Sequence, residues 1–398
     1  MSTLFRGIRV SARWGIIAGP LPSPTPMAQP SQPILIAGGG IAGLATWRAL
    51  KRRGIASRVV ERSARATDGG LAINLPGNAI AALDRLGLAG DIERLGHPVR
   101  KREYRTSDDR LLAAIDEDAF WGEAMRPRAV RRADLMAILA SGIEPSDLHV
   151  GAIAGVRQDA STVHVALADG SEVSAPLLVG ADGVRSTVRQ AVTGAASATA
   201  ARLASESWRF MAPNPGVDGW TVWTGKHGLI LLLPVDDHTV YGWVSLGTAG
   251  NGEPQLDRLA AAFSGFPARV RKALGWALAN PENIYHSPIE EVRAARWSQG
   301  RVILIGDAAH ATAPVWAEGA ALGMEDALVL AGIVAECDDP GAIGPRFEQA
   351  RHPRVAHVQA MTDKLSKAAR LPHALRTILM PFITPKSYRG TYEPLKTL

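Results

Sequence analysis

The sequence has very little cysteine, since Cys337 is the only one among 398 residues. One cysteine cannot form an intrachain disulfide and cannot supply a cysteine-based metal site, and it fits a reducing cytoplasm. Long apolar runs are also missing: the longest, such as 229–235 and 327–334, are far shorter than the roughly 20 residues of a membrane-spanning helix. We therefore predict a cytoplasmic protein with no metal site and no integral membrane segment.

Acidic residues are absent before Glu61, and this absence contributes to the formal net charge of +6. Elsewhere basic and acidic residues are interspersed, so the charge does not indicate nucleic-acid binding. The local positive excess would favour an anionic cofactor. Residues 1–30 contain arginine, proline and serine around a short apolar run. We interpret them as an extension outside the fold, either a targeting segment or a disordered or untranslated stretch before a true start at Met27.

The first part of the chain has the pattern of a strand, a helix and a second strand. Apolar runs at 34–37 and 57–60 predict buried strands, and 41–53 predicts the helix between them. Such a βαβ unit implies parallel strands with a right-handed crossover. Short apolar runs at 177–179 and 302–305 each precede a Gly/Asp turn. We expect these runs to be further strands that carry ligand-binding loops at their carboxyl ends.

The turn after the first strand carries a glycine motif. Gly38, Gly40 and Gly43 match G-x-G-x-x-G, in which the glycines permit a tight turn, the approach of a pyrophosphate, and close packing of helix and strand. The amino end of the helix then faces the phosphates. Glu61 ends the second strand 21 residues after Gly40, where its carboxylate can accept hydrogen bonds from ribose hydroxyls. This arrangement predicts a dinucleotide-binding site.

Two later turns add to this site. Asp182 and Gly183 follow the second apolar run, and Arg185 and Arg189 after them offer positive charge to phosphate. Taken alone, this segment is more typical of a capped helix. Asp307 follows the last strand, where it can bind a ribose or ribityl hydroxyl. The three turns together predict one ligand site.

Three further ionisable residues lie near or after the last turn. His310 could be catalytic, but a packing role in the loop is favoured. Glu325 and Asp326 fall in a predicted helix. We expect them to be charges on the helix surface or capping residues.

The pattern of apolar residues and the aromatic content of the sequence change between about residues 205 and 288. Alternating apolar residues at 221–223, 229–233 and 239–245 predict an antiparallel sheet rich in tryptophan and tyrosine. This pattern indicates a second module inserted into the first. After about residue 326 the pattern is helical to 370, and the proline-rich end is expected to wrap the surface.

Together, the three motifs resemble the class A flavoprotein monooxygenases, the family of para-hydroxybenzoate, salicylate and urate hydroxylases. Further similar stretches lie at 71–88, 132–135 and 347–354, so the resemblance runs from Ile34 to about Arg354. The resemblance implies an α/β fold with a Rossmann-like FAD-binding domain built on a parallel sheet, an inserted, mainly antiparallel β-sheet substrate domain, and C-terminal helices. The corresponding segments are 31–190 with 290–345, 191–289, and 346–398.

The resemblance also implies an activity. FAD would be reduced by NADH or NADPH and would react with dioxygen, and a flavin hydroperoxide would hydroxylate a small or medium aromatic or heteroaromatic substrate. The alternatives are an FAD-dependent reductase or dehydrogenase that acts on a quinone or polyene without oxygen insertion, and a flavin-bearing binding protein. Nothing in the sequence selects the substrate, the nicotinamide cofactor or the oligomeric state.

The motifs and the resemblance assign residues to cofactor and substrate. Arg132 matches the family's flavin-contacting arginine, and the 314–321 loop would border the isoalloxazine, with the amino end of the following helix stabilising the anionic reduced ring. The predicted cofactor-binding residues are Gly38, Gly40, Ile41, Ala42, Gly43, Glu61, Arg62, Arg132, Asp182, Gly183, Asp307, Pro314, Gly319, Ala320 and Ala321. The predicted pocket walls are Trp208, Trp223, Trp243 and Trp316.

No side chain is identified as catalytic with certainty. Arg209 is a candidate for binding an anionic or phenolic group. Tyr241, His227 and His238 are candidates for deprotonating a phenol, and the sequence does not choose among them.

One departure from the family pattern lies in the ring loop. Where the family often has Gly-Gln-Gly, this chain has Ala317-Glu318-Gly319. Alanine restricts the backbone, and glutamate would add a negative charge near the ring.

Overall fold

The computed structural model describes residues 32–63, 71–194, 201–204, 207–246, 256–369 and 371–397. The predicted extension at 1–30 lies outside the described residues. The search of the described residues for a helix long and apolar enough to cross a membrane found none.

A six-stranded sheet forms the centre of the first part of the chain. The strand Ile34–Ala37 is fully buried and lies between two parallel neighbours, which explains why it is apolar throughout. The predicted parallel strands are confirmed, whereas the helix Ile41–Lys51 ends two residues before the predicted 53 because the chain turns at Gly54. In spatial order the strands are Ser298–Gln299, Val302–Leu304, Leu178–Gly180, Ile34–Ala37, Ser57–Glu61 and Leu148–Val150.

A seven-stranded sheet forms the second layer, and it is mainly antiparallel as expected. The strand Trp220–Thr224 pairs in parallel with Lys101–Thr106. Two of the seven strands therefore come from the segment before the predicted insertion. Helices Leu256–Phe263 and Ala268–Ala279 cover one face through a shared apolar cluster. In spatial order the strands are Tyr285–His286, Ser207–Pro213, Thr239–Leu246, Gly228–Pro234, Trp220–Thr224, Lys101–Thr106 and Leu111–Asp116.

The remaining strands form smaller sheets beside these two. They are Ile153–Gln158, Val163–Leu167 and Glu172–Ala175; Ala72–Leu75, Arg128–Arg131 and His97–Pro98; and the pair Ala201–Ala204 with Ile289–Glu291. The other α-helices of the described residues are Gly77–Arg85, Ala89–Leu95, Glu117–Trp121, Arg132–Leu139, Val188–Thr193, Asp307–His310, Gly319–Glu336, Pro340–Ala369 and His373–Tyr392. Single 3-10 turns lie at Pro145–Asp147, Pro281–Asn283 and Glu393–Leu395.

The proline-rich end is helical, as predicted for the C-terminal segment, and its residues 371–387 remain exposed or half-buried at the surface. It forms the helix His373–Tyr392 with two prolines inside it. Tyr388 and Tyr392, four residues apart, are buried against the rest of the fold. The Tyr388 hydroxyl accepts a hydrogen bond from Trp121 Nε1 at 2.9 Å, and the Tyr392 hydroxyl donates to the backbone carbonyl of Trp316. These tertiary contacts outweigh the local cost of proline in a helix, about 3 kcal/mol or more.

Candidate functional site

The three predicted loops converge at one edge of the parallel sheet. The strands that precede them are neighbours: Ala181 N donates to Ala37 O at 2.8 Å, and Ile305 N donates to Gly180 O at 2.9 Å. A Cβ atom placed on Gly38 would lie 2.5 Å from Ala181 O, so the first two loops are in contact. The loops that begin near Gly38, Asp182 and Asp307 therefore face one region, as the sequence predicted.

The glycines of the first loop meet two different constraints. Gly38 has φ of +103°, which favours glycine, and a Cβ on Gly43 would lie 1.9 Å from Gly38 O. A Cβ on Gly40 would meet no described atom within 4 Å. Gly38 and Gly43 are thus required by the fold itself. Gly40 borders open space at the amino end of the helix, where the motif expects a pyrophosphate.

Glu61 is held in a fixed orientation at the end of its strand. Its Oε2 accepts a hydrogen bond from Gly39 N at 2.7 Å, and its Oε1 accepts one from Ser63 N at 3.3 Å. A carboxylate has about four lone-pair positions, so capacity remains for ribose hydroxyls. The neighbouring Arg62 is exposed.

Asp182 caps the start of a helix, which is the structural role that its segment alone suggested. Its carboxylate accepts hydrogen bonds from Ser186 Oγ at 2.5 Å, Thr187 N at 2.7 Å and Val188 N at 3.1 Å. Arg189 is buried and donates to Ala308 O at 3.0 Å. Its guanidinium therefore ties two loops together, and a contact of Arg189 with a phosphate stays a prediction.

Asp307 projects into the region between the loops. Asp307 is reached by solvent, although protein atoms surround it on most sides. This partial desolvation raises the pKa of its carboxyl, while the charges of His310 and Arg132 act in the opposite direction. A Cβ on Gly319 would lie 3.8 Å from Asp307 Oδ1. Asp307 therefore stands beside the amino end of the helix Gly319–Glu336, as the motif requires.

Glu325 and Asp326 are not surface charges, and that expectation was wrong. Both are fully buried, because the helix that carries them is packed on nearly all sides. Asp326 accepts from Gly306 N at 2.9 Å and from Arg351 Nε at 2.7 Å, and it contacts His310 Nε2 at 2.7 Å. Although burial opposes it, the positive charges of His310 and Arg351 lower the pKa of Asp326.

His310 has the packing role that the sequence favoured. It is buried, and its ring centroid lies 4.9 Å from that of Trp297. Its contact with Asp326 links the cofactor loop to the helix behind it. Arg351 and Arg354, which contact Asp326 and Glu325, come from the helix Pro340–Ala369. The sequence did not predict that these arginines would pair with the two acidic residues.

The ring loop differs from the expectation in its charge. Glu318 is buried, and its Oε2 accepts a hydrogen bond from Asn78 Nδ2 at 2.9 Å. Burial, together with the nearby charge of Glu325, raises the pKa of Glu318 to about 8. Glu318 is therefore mostly neutral at pH 7, and the negative charge that we expected near the ring is absent under these conditions.

Ala317 adopts a left-handed backbone conformation, with φ of +59°. This conformation costs an L-residue roughly 1–2 kcal/mol, whereas glycine adopts it freely. Ala317→Gly is therefore expected to stabilise the protein by up to about 1 kcal/mol after the greater freedom of glycine in the unfolded chain is subtracted. Chemical denaturation measures this change.

Ala356→Gly is the matched control, because Ala356 is exposed in the interior of the helix Pro340–Ala369. It should destabilise the protein by about 0.5–1 kcal/mol. A destabilising effect of the same size for Ala317→Gly would contradict the strain argument.

The aromatic residues of the seven-stranded sheet lie on two opposite faces. Trp208 and Trp223 are buried in the cluster beneath the covering helices, and Trp223 Nε1 donates to Asp109 Oδ1 at 2.8 Å. Trp243 packs in a different cluster on the opposite face. The prediction that all three share one pocket is therefore wrong, because successive side chains of a strand alternate between faces.

Arg209 and Tyr241 occupy the same face as Trp243, since their strands pair with Arg209 opposite Trp243 and Met211 opposite Tyr241. Burial raises the pKa of Tyr241 to about 12, although Arg209 opposes this shift. Tyr241 therefore remains protonated near neutral pH and is a poor general base. Arg209 Nη1 donates to Ser287 Oγ at 2.6 Å, which orients its guanidinium.

The histidine candidates lie in exposed turns of the sheet. His227 precedes the strand Gly228–Pro234, in which Leu233 pairs with Tyr241. Six residues of extended chain separate His227 from this position, which is roughly 20 Å. His238 lies in the turn at the other end of that strand. His227 is therefore far from Tyr241 along the sheet, whereas His238 lies three residues before Tyr241 and stays a candidate.

Several buried polar atoms have no hydrogen-bond partner among the described residues. Such atoms are rare, and a cluster of them indicates a place for water or ligand. Trp316 is buried beside Tyr392, and its Nε1 is one of these atoms. Others among these atoms are Asn74 Nδ2 and Oδ1, Asn78 Oδ1, Arg102 Nη2 and Glu318 Oε1. Of these residues the sequence singled out only Glu318, although the Leu-Pro-Gly-Asn stretch within 71–88 could have indicated Asn78.

The residues present fit a dinucleotide such as FAD. Gly40 leaves space beside the amino end of a helix, Glu61 holds a fixed carboxylate on the neighbouring strand, and Asp307 projects between the loops. The unpartnered Trp316 Nε1 offers one more donor for a polar ring. A phosphate, a ribose and a polar ring would thus each find suitable groups.

Comparison with known proteins gives the same answer over most of the chain. Residues 31–365 match the family described as FAD binding domain. The 3-amino-4-hydroxybenzoate 2-monooxygenase PtmB3 of Streptomyces platensis is 30% identical over 358 residues, which cover 85% of this chain and 89% of that protein. The 2-heptyl-3-hydroxy-4(1H)-quinolone synthase of Pseudomonas aeruginosa is 30% identical over 386 residues, which cover 92% and 97%.

A solved structure extends the similarity to the fold. The crystal structure of Klebsiella pneumoniae HpxO complexed with FAD and uric acid is similar to this chain with a TM-score of 0.76 and 25% identity. The match covers 93% of this chain and 94% of that one. Both layers of the fold therefore have counterparts in that structure.

Proposed function

Since the chain belongs to the FAD-binding family of class A flavoprotein monooxygenases, we propose that it hydroxylates a small or medium aromatic or heteroaromatic substrate. FAD is the cofactor, NADH or NADPH the reductant and dioxygen the co-substrate, in the cytoplasm. The observation that carries this proposal is the convergence of the Gly38, Asp182 and Asp307 loops at one edge of the parallel sheet.

The cofactor loops would hold FAD along its length. Gly40 and the helix behind it would receive the pyrophosphate, and the Glu61 carboxylate would accept ribose hydroxyls. Asp307 would bind the ribityl chain. When bound, FAD supplies two-electron redox chemistry and the activation of dioxygen. The backbone N–H groups of Gly319 to Ala321 open a helix and would stabilise negative charge on the reduced ring.

The substrate side is the sheet face that carries Arg209, Tyr241 and Trp243. That face packs in one apolar cluster with Ala129. Ala129 lies three residues before Arg132, the predicted flavin-contacting arginine, and this proximity supports a substrate site next to the flavin. An oriented guanidinium beside aromatic walls suits an aromatic ring with an anionic or phenolic oxygen. The names of the relatives fit this class, since one is a monooxygenase of an aminohydroxybenzoate and the other is a synthase of a hydroxyquinolone.

The protein's own residues need not form a covalent bond to the substrate. Arg209 would bind and orient the anionic oxygen, and the sheet face would exclude water from the reacting carbon. Tyr241 keeps its proton because burial raises its pKa to about 12. It would therefore donate a hydrogen bond to the substrate instead of removing a proton from it.

The proposal is tested by substrate-stimulated oxidation of NADH or NADPH by the FAD-loaded protein, using phenols such as hydroxybenzoates, quinolones, hydroxypyridines and purines. The expected product carries one oxygen atom from ¹⁸O₂ by mass spectrometry. Arg209→Met should keep FAD and lower kcat/KM for an anionic substrate by about 10- to 100-fold, because a hydrogen bond to a charged group contributes about 1.5–3 kcal/mol.

Arg157→Met is the control, because Arg157 is an exposed arginine outside this face, with 64% of its side chain accessible. It should leave kcat/KM unchanged. Oxidation of NADH or NADPH without incorporation of oxygen into the product would contradict hydroxylation and favour a reductase reaction. Equal kcat/KM for Arg209→Met and the wild type would remove Arg209 from the substrate site.

A further inference from the structure

Glu318 lies at the junction between the ring loop and the helix Gly319–Glu336. Its backbone precedes the first helical residue, and Leu322 N donates to Glu318 O at 2.9 Å. Its side chain enters the protein interior and is 1% exposed. A charge on Glu318 would therefore act at the amino end of this helix without screening by water.

Asn78 joins the Glu318 carboxyl group to a second carboxyl group. The Asn78 Nδ2 atom donates to Glu318 Oε2 at 2.9 Å and to Glu325 Oε1 at 3.0 Å. Glu325 also accepts from Arg351 Nη2 at 2.9 Å and from Arg354 Nε at 2.6 Å. Two buried carboxyl groups that share one amide do not both ionise easily, and both of these arginine donors contact Glu325.

Glu318 lacks a comparable partner. Its Oε1 atom is buried and has no hydrogen-bond partner among the described residues, and the same holds for Asn78 Oδ1. The other charged or titratable groups that face Glu318 are Arg102 and Arg354, which favour its ionised form, and Tyr392, which stays protonated because burial raises its pKa. Burial and Glu325 outweigh both arginines and raise the pKa of Glu318 to about 8.

We propose that Glu318 is a positioning residue that carries a proton at neutral pH, and that this proton links the electron affinity of bound FAD to pH. The proposal rests on the proposed function, because it places FAD against the 314–321 loop. A neutral Glu318 preserves the partial positive charge of about half an elementary charge at the helix amino end, which favours a reduced, anionic ring. An ionised Glu318 would cancel this effect.

The linkage has a definite sign. Two electrons delivered to FAD place negative charge near the helix, and this charge raises the proton affinity of Glu318. Glu318 thus has one pKa when FAD is oxidised and a higher pKa when FAD is reduced. Between these two pH values, reduction of FAD takes up one additional proton from solvent. The reduction equilibrium constant should therefore fall by up to about tenfold more per pH unit in this interval than it would without Glu318.

The test is the midpoint potential of bound FAD, titrated with dithionite and a reference dye from pH 6 to about pH 9.5. The variant Glu318→Gln keeps the size of the side chain but does not titrate. The wild type should show the additional proton above about pH 8, and Glu318→Gln should not. The control Glu336→Gln, on the same helix with its side chain 73% exposed, should match the wild type.

Equal pH dependence in the wild type and Glu318→Gln would overturn the proposal. If Glu318→Gln does not bind FAD, infrared spectra of the wild type decide. A protonated-carboxyl band that disappears above about pH 8 supports the proposal, and the lack of such a band at pH 7 overturns it. A reductase without oxygen insertion would refute hydroxylation but leave these potentials measurable, so the two failures are distinguishable.

Discussion

Gly43→Ala is expected to leave little or no folded protein. The added Cβ would lie 1.9 Å from Gly38 O and 3.0 Å from Gly38 C, and backbone atoms of a turn between a buried strand and a packed helix cannot move away as a side chain could. Relieving this overlap would displace the helix Ile41–Lys51 from the sheet, at a cost comparable with the total stability of a domain, about 5–15 kcal/mol. Soluble yield and the thermal transition by circular dichroism measure the effect.

Gly40→Ala separates folding from cofactor binding. Its Cβ would meet no described atom within 4 Å, and its φ of −76° suits any residue. The variant should fold with a normal thermal transition and bind FAD at least about tenfold more weakly, because a methyl group would occupy the approach of the pyrophosphate. Wild-type FAD affinity in Gly40→Ala would show that the pyrophosphate does not lie there.

Arg351→Met is expected to destabilise the protein by about 3–5 kcal/mol. Arg351 is 2% exposed and contacts Asp326 Oδ1 at 2.7 Å and Glu325 Oε2 at 2.9 Å. Its loss leaves two buried carboxylates with fewer positive partners, and removing one member of a buried ion pair costs about this amount. Urea denaturation at pH 7 measures the difference.

The pH dependence of this effect follows from the lowered pKa of Asp326. A carboxyl whose pKa is lower in the folded protein contributes stability above its unfolded pKa, and this contribution is lost as the pH falls through the folded pKa. Without Arg351 the folded pKa rises towards the unfolded value. The deficit of Arg351→Met should therefore stay constant near neutral pH and shrink only as the pH falls below the ordinary pKa of aspartate, about 4.

Arg346→Met is the control for the loss of an arginine on the same helix. Its side chain is 47% exposed, and its nearest carboxylate, on Glu336, is 3.8 Å away. An exposed pair of this kind contributes about 0–1 kcal/mol. An equal loss of stability in the two variants would show that the buried contacts of Arg351 with Glu325 and Asp326 contribute no more to stability than an exposed ion pair does.

The cofactor half of the fold was the most predictable from the sequence. Parallel strands buried on both faces have continuous apolar runs, as at Ile34–Ala37, and a glycine motif with an acid at a fixed distance has few other structural causes. The positions of Gly38 and Glu61 at the ends of their strands could therefore be predicted from the sequence. Individual boundaries, such as the end of the helix Ile41–Lys51, shifted by two residues.

The substrate face was less predictable, because strand register decides it. Trp208 and Trp223 looked equivalent to Trp243 as aromatic residues in alternating strands, yet only Trp243 shares the face of Arg209. Alternation places residues on two faces but does not say which face is covered by helices. That choice depends on the helices Leu256–Phe263 and Ala268–Ala279, which follow later in the chain.

Local patterns by themselves determined the βαβ unit, the order of the three loops and the family, because glycine conformation, strand burial and chain spacing act within a few residues. Only the tertiary structure decided the burial and the partners of Glu318, Glu325 and Asp326, since these depend on Arg351, Arg354 and Asn78 from distant segments. Electrostatic free energy depends on distance through space and on exclusion of water, and neither can be read from separation along the chain.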